Sequence, residues 1–477
     1  MKDKQKTCFI LLLCGLMPLS CFPDCQFEND YTDSISRPLS SIKPLSDALD
    51  DLYLLMSDIA LDRTKAEVAC FPSIKSIAVL SSSYTRSGDG INCDSLAYLV
   101  NFSDNQGYAV LGTDYESEPV YALSEKGELD FDKLTDVLLE ITSEDVHQRK
   151  DEEDSFEYLY DYIVSSILCD RNRKDRTPNL PPPLPPVYGP WTNCSVVLPL
   201  VPVKWGQGYP FNQFMPESDT LITRPTYRGR WPVGCVSVAA AHLMYGTKHP
   251  VSLPGTTGCL WNDDSMVSAL MTLEYFKAFD YVEFINSDQV LVTETQVSAL
   301  SQSLATIASE IHSTFNLSGP STTAYYADCL NYLKQLDPDY YGSAYFASMS
   351  DTTSVYGMLD SGKPIYCFGH RPNMSVGHAW IIDGYLYRYR YVYDYANQLP
   401  PEIDDGPNSQ PNNNIVSTQY SHLLHINWGW QGVNDGYYAY CAYNLQDRVD
   451  IEEITDFNPG LSYGNTDYTV DHYYIHY

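Results

Sequence analysis

Cys235 has the setting that most invites nucleophilic chemistry in this chain. It follows Val233-Gly234 and opens the run Val236-Ser237-Val238-Ala239-Ala240-Ala241-His242-Leu243-Met244, so a glycine-bearing turn passes directly into a helix-forming segment. A cysteine at or just before a helix N-terminus meets unpaired backbone N–H groups and the positive end of the helix dipole, which favour a thiolate. Such a nucleophile needs a base, and the base needs a group to orient it. Of the ten histidines, His147, His312, His472 and His476 lie in polar surroundings. His242 and His249 belong to the Cys235 helix and its exit, and His370, His422 and His425 flank apolar strands with no turn to expose them. His378 differs: Ser375-Val376-Gly377-His378 leads into Ala379-Trp380-Ile381-Ile382-Asp383-Gly384-Tyr385, which places an imidazole at the mouth of a buried strand.

Two further segments offer the supporting groups. His425-Ile426-Asn427-Trp428-Gly429-Trp430 ends a second strand in a turn. There the Asn427 amide can accept a hydrogen bond from one imidazole nitrogen, and the Trp428 ring can shield that bond from water. Upstream, Trp205-Gly206-Gln207-Gly208-Tyr209-Pro210 carries Gln207, whose side-chain N–H suits a developing oxyanion beside the backbone N–H of Cys235. Nucleophile, then histidine, then amide is the papain-like order. The chemistry expected is acyl transfer through a thioester, with no metal and no organic cofactor. A transglutaminase-like reading would use Cys235, His378 and Asp383. An offset of five along a strand sends Asp383 to the face opposite His378, which weakens that reading. A non-catalytic binding or inhibitor protein is the other rival. A calcium reading finds no Asp-x-Asp-x-Asp-Gly loop with its distal Glu.

Taken in order, these segments resemble the streptopain family of secreted cysteine peptidases: Trp205/Gln207/Pro210/Asn212, Gly234-Cys235-Val236 with an Ala-rich helix, Gly377-His378-Ala379 with Ile382-Asp383-Gly384, and Asn427-Trp428-Gly429-Trp430. The resemblance covers about 200–450. It implies an α+β, papain-like peptidase with helices packed on an antiparallel sheet. Cys235 would be its nucleophile, His378 its base and acid, Gln207 an oxyanion donor, and Asn427 and Trp428 supports for the histidine. Residues 44–170 look like the family's N-terminal propeptide, itself a small α+β unit, which implies an intramolecular inhibitor and protein or peptide substrates. Two positions depart from the pattern: Val233 stands where relatives often carry a small polar residue, and Gln431 where a further glycine is common. Asn427 also follows His378 by 49 positions, across Leu399-Pro400-Pro401-Glu402-Ile403-Asp404-Asp405-Gly406-Pro407, a long loop near the site.

The elements that would position these residues are legible in outline. Over 44–63 the apolar residues Leu45, Leu49, Leu52, Leu55, Met56 and Ile59 recur at helical steps. Residues 76–125 switch to alternation and turn signals, predicting hairpin-joined strands, and helical patterns follow over about 131–142 and 153–170. Arg171-Asn172-Arg173-Lys174-Asp175-Arg176 and then Pro181-Pro182-Pro183-Leu184-Pro185-Pro186 mark 171–190 as a basic, Pro-rich linker. Such a linker before the larger unit, 191–477, is a candidate site of proteolytic activation. Met1–Lys6 is basic and 8–19 apolar, a secretory signal over 1–21. Leu19-Ser20-Cys21 resembles a bacterial lipoprotein processing site, which makes Cys21 a candidate lipid anchor; ordinary cleavage near Ser20 is the alternative. A polar tether spans 22–43. The mature protein is then expected outside the cytoplasm, secreted or held at the outer surface or in the periplasm as a bacterial lipoprotein. The net charge of -32 disfavours nucleic acid as a partner. Thirteen cysteines, three of them at Cys8, Cys14 and Cys21, include no C-x-x-C pair for zinc.

Overall fold

The computed structural model describes residues 43–63, 71–82, 94–142, 157–175, 187–221, 226–257, 259–260, 294–316, 321–349, 352–370, 377–393, 415–440 and 471–477. The leader, the tether and most of the Pro-rich run lie outside them. So do 371–376 and 394–414, between β10 and β11 and between β11 and β12 as defined below.

Helix α1 (Leu45–Arg63) buries Ala48, Leu52, Leu55 and Ile59 on one side, as its spacing predicts. Strands β1 (Ile74–Ser82), β2 (Asp94–Phe102), β3 (Tyr108–Gly112) and β4 (Val120–Ser124) form an antiparallel meander. Helix α2 (Phe131–Thr142) buries Leu134, Val137 and Leu138, and α3 (Glu157–Asp175) is apolar on most of its circumference, with Tyr158, Leu159, Tyr162, Ile163 and Ile167 inside. The basic run expected to open the linker is helical as far as Asp175. Arg and Lys are good helix formers, and they favour the negative end of the dipole.

The chain resumes with β5 (Val187–Tyr188) and β6 (Thr192–Val197), then α4 (Cys235–Thr247), α5 (Glu294–Glu310) and the β7–β8 hairpin (Thr314–Asn316, Ser321–Thr323). After it come α6 (Tyr326–Leu336), the single turn α7 (Pro338–Tyr341), β9 (Tyr345–Ser348), α8 (Thr352–Asp360) and β10 (Ile365–His370). The last strands are β11 (Gly377–Tyr393), β12 (Ile415–Asn427), β13 (Gly436–Ala439) and β14 (Asp471–His476).

The two groups of strands meet. One sheet runs β1-β2-β3-β4-β13-β12-β11-β10-β14-β9, with β5 and β6 beside the outer half of β11. The seam is the antiparallel pair β4–β13, Ser124 opposite Gly436 and Ala122 opposite Tyr438. Ser40–Tyr477 therefore packs as one compact α+β unit.

Alternation along β10 and β11 divides the interior. Ile365, Cys367, Trp380 and Ile382 face a core shared with α1, α2 and α3, while Tyr366, Phe368, Ala379 and Ile381 face a second core built around α4. Helix α4 buries every residue from Val236 to Tyr245, and its three consecutive alanines let it lie close to β11.

Candidate active site

Gly234 caps α4 with φ 92°, a left-handed conformation open to glycine, and a Cβ there would lie 3.0 Å from the Thr322 carbonyl oxygen. The turn before it is fastened on both sides: Val233 N–H donates to the Gln207 carbonyl at 2.9 Å, and the Thr322 hydroxyl donates to the Pro232 carbonyl at 2.6 Å. Cys235 is thus the first residue of the helix, as its sequence predicts. The backbone N–H groups of Ala379, Val236 and Cys235 itself draw its thiol pKa down, yet burial outweighs them and leaves it above its ordinary value. The sequence alone pointed to a thiolate. In this form the desolvation cost of the anion exceeds what the helix end supplies.

Ala379, the residue after His378, faces the core to which Cys235 also packs, so the strand that carries the imidazole lies against the helix that carries the thiol. His378 itself is buried. Its Nε2 donates to the Trp428 carbonyl at 3.0 Å, which fixes the proton on Nε2 and leaves Nδ1 as the basic nitrogen. Around the ring stand Trp430, Trp428 and Trp380, with centroids 4.8, 6.0 and 6.3 Å away, and Tyr158 of α3 at 6.2 Å. Burial in this aromatic cage lowers the His378 pKa to about 4, against the pull of the Trp428 carbonyl.

Asn427 sits beside this bond without touching the ring. Its Nδ2 donates to the Val203 carbonyl at 3.1 Å and its Oδ1 accepts from Gly429 N–H at 3.0 Å. The Trp428–Gly429 peptide is therefore held at both ends, N–H on Asn427 and C=O on His378. The acceptor for the imidazole is main chain, which no side-chain pattern reveals. Trp428 serves twice, by its ring and by its carbonyl. Gln207 is tied to the Cys235 turn through its own carbonyl, and its side chain is partly buried. Gln431, one of the departures, lies over Gly206, where a Cβ would come within 2.3 Å of its Cγ.

Three features of this neighbourhood were not legible. Tyr158 reaches the cage from the N-terminal region, where its helical spacing marks it only as core. His425 Nδ1 lies 2.6 Å from Asp383 Oδ1, and its Nε2 lies 3.6 Å from Glu125 Oε1. Burial presses its pKa down, but the Asp383 and Glu125 carboxylates outweigh that and hold it at about 9. Asp383 is committed to His425, not to His378, in line with its opposite face. The third feature is the buried pair Lys204–Asp435, at 3.0 Å. A lone lysine inside Val201-Pro202-Val203-Lys204-Trp205 was the one available signal, since a cation in an apolar run must find an anion.

Comparison with known proteins follows the same outline. Residues 205–438 match the Peptidase C10 family, the streptopain family of cysteine peptidases. Among solved structures, a fragment of Prevotella intermedia prointerpain A bearing a cysteine-to-alanine mutation aligns at 17% identity over 84% of this chain and 98% of that one, TM-score 0.42. Active wild-type Prevotella intermedia interpain A cysteine protease aligns at 19% identity over 59% and 95%, TM-score 0.33. The chain matches no curated protein.

Proposed function

We propose that this protein is the zymogen of an exported cysteine endopeptidase, with Cys235 as nucleophile, His378 as base and acid, Gln207 as oxyanion donor, and Asn427 with Trp428 as supports of the histidine. The observation that carries this reading is the packing of β11 on α4: β11 carries His378, its proton fixed on Nε2 by the Trp428 carbonyl, and the next residue, Ala379, faces the same core as Cys235, the first residue of α4.

In the reaction His378 takes the Cys235 proton, and the sulfur attacks the peptide carbonyl to form a C–S bond. Gln207 and the Cys235 N–H hold the oxyanion. The tetrahedral species collapses, the C–N bond breaks, and His378 gives its proton to the departing amine. Water then attacks the thioester, passing a proton to His378. The C–S bond breaks, the acid leaves, and the thiolate recovers the proton from His378.

Residues 44–170 act as the inhibitory prodomain in this reading. Tyr158 lies against the histidine, the imidazole is depressed and the thiol raised, so both members of the dyad are neutral and the form described here is latent. Cleavage within 171–190 is expected to free it, and residues 176–186 of that stretch lie outside the described residues, as does the signal at 1–21 with its candidate anchor Cys21. Asp383, turned to His425, gives the transglutaminase-like reading no support.

The deciding experiment incubates the full chain with an unlabelled protein and maps the fragments by mass. Cys235→Ala is expected to lower turnover by about 10⁶-fold and to abolish self-processing. Undiminished peptide hydrolysis by that variant overturns the assignment.

A further inference from the structure

We propose that Asp435, paired with Lys204, is a positioning residue for this peptidase: it sets the Trp428 main chain so that its carbonyl meets His378 Nε2. The inference rests on the assignment of Cys235 and His378 above.

Asp435 is wholly buried. Its Oδ1 accepts the Trp428 N–H at 2.9 Å, and its Oδ2 accepts from Lys204 Nζ at 3.0 Å. Trp428 is therefore flanked by two pinned peptides. The one before it is held by Asp435, and the one after it by Asn427 through Gly429 N–H. The carbonyl that serves His378 lies between these anchors, so its direction is fixed by side chains that never touch the ring.

A buried carboxylate can anchor an N–H strongly only while ionised. Burial drives the Asp435 pKa up, and Lys204 is the nearest charge opposing that rise. Glu125, Asp383 and His425 are the other charged groups facing this pocket. Among the described residues no anion is paired with His378, and the Trp428 carbonyl is the imidazole's acceptor. When the thiol yields its proton, that dipole carries the new imidazolium charge on Nε2.

Asp435 also stands where the N-terminal region grips this turn. Its carbonyl accepts Glu125 N–H at 2.8 Å, and Asn434 N–H donates to the Lys126 carbonyl at 2.8 Å.

The test compares the self-processed full chain with Asp435→Asn, Lys204→Gln and the double variant Lys204→Met/Asp435→Asn, by kcat and KM on one peptide from pH 5 to pH 10. The double variant removes both charges together and leaves no unpaired ion, so it is the one expected to keep the fold. It should lose about tenfold in kcat with KM little changed. Its alkaline limb, which reports deprotonation of the imidazolium, should fall by about half a pH unit or more. Lys204→Gln should shift the same limb in the same direction by less. Folding loss alone would lower amplitude without moving the limb. A wild-type limb and kcat in whichever of these variants folds overturns the proposal. If instead Cys235→Ala still hydrolyses the peptide, the assignment of the site has failed, and not the role of Asp435.

Discussion

Two imidazoles lie on neighbouring antiparallel strands of this sheet, both buried, and they end at opposite extremes. His378 sits among three tryptophans and a tyrosine, and its pKa is about 4. His425 sits between Asp383 and Glu125 and is held at about 9. Burial costs each of them the same kind of penalty. Only the neighbours differ: a carbonyl dipole for one, two carboxylates for the other. The carbonyl leaves His378 neutral well below pH 7, whereas the carboxylates keep His425 protonated and tie β11 to β12. The separation of roles is thus electrostatic, and it is sharpest while α3 covers the cage.

The largest expected effect comes from breaking the His425 side. Asp383→Asn leaves a buried imidazole short of its principal anion, and removing one partner of a buried pair costs about 3–5 kcal/mol. The wild-type pair also imposes a pH window. Because the folded pKa exceeds the ordinary 6.5, its stabilisation is complete below about 6.5 and is lost as pH rises through about 9. Urea melts of the Cys235→Ala chain between pH 6 and pH 10 should show that loss, and Asp383→Asn should abolish it. A variant that retains the alkaline slope would assign it to other groups.

On the His378 side the expected effect is smaller and of opposite sign. Tyr158→Ala opens the cage, costs about 3 kcal/mol of stability, and should raise the His378 pKa from about 4 toward its ordinary value. The wild-type shift runs the other way from that of His425. A neutral buried histidine binds fewer protons than the unfolded chain between about 4 and 6.5, so stability falls as pH drops through that range. Proton NMR titration of His378 in the Cys235→Ala chain reads the shift directly. Should the variant leave His378 near 4, the tryptophans alone set its environment and Tyr158 contributes only packing.

Much of the site's framework was legible because it is local. The helical steps of 45–59 and 131–142 and the strand entered at His378 depend on spacing within one segment. The placement of Cys235 at the start of a helix depended on a turn beside it. What sequence could not supply was pairing at a distance. Asp383 and His425 are 42 positions apart and meet only because β11 and β12 are in register there. The state of the thiol escaped for a related reason: the helix terminus is written beside Cys235, whereas the burial that opposes it comes from other strands. Asn427 was expected to hold the ring, yet it holds the peptide whose carbonyl holds the ring, a relay visible only when main-chain atoms are placed.

The smallest expected effect tests whether the turn joining the two pockets keeps them independent. Trp428 at one end meets His378, and Asp435 at the other lies beside His425. Between them Gln431 has φ 58°, a left-handed conformation that a glycine adopts without strain. Gln431 also donates through Nε2 to the Tyr209 carbonyl at 3.3 Å. Gln431→Gly relieves the backbone and forfeits that bond, so the net change should stay within about 1 kcal/mol of zero. Neither histidine's titration should move. A shift in both would mean that the turn transmits strain between the pockets, and the contrast between the two imidazoles would then belong to the turn as much as to their immediate neighbours.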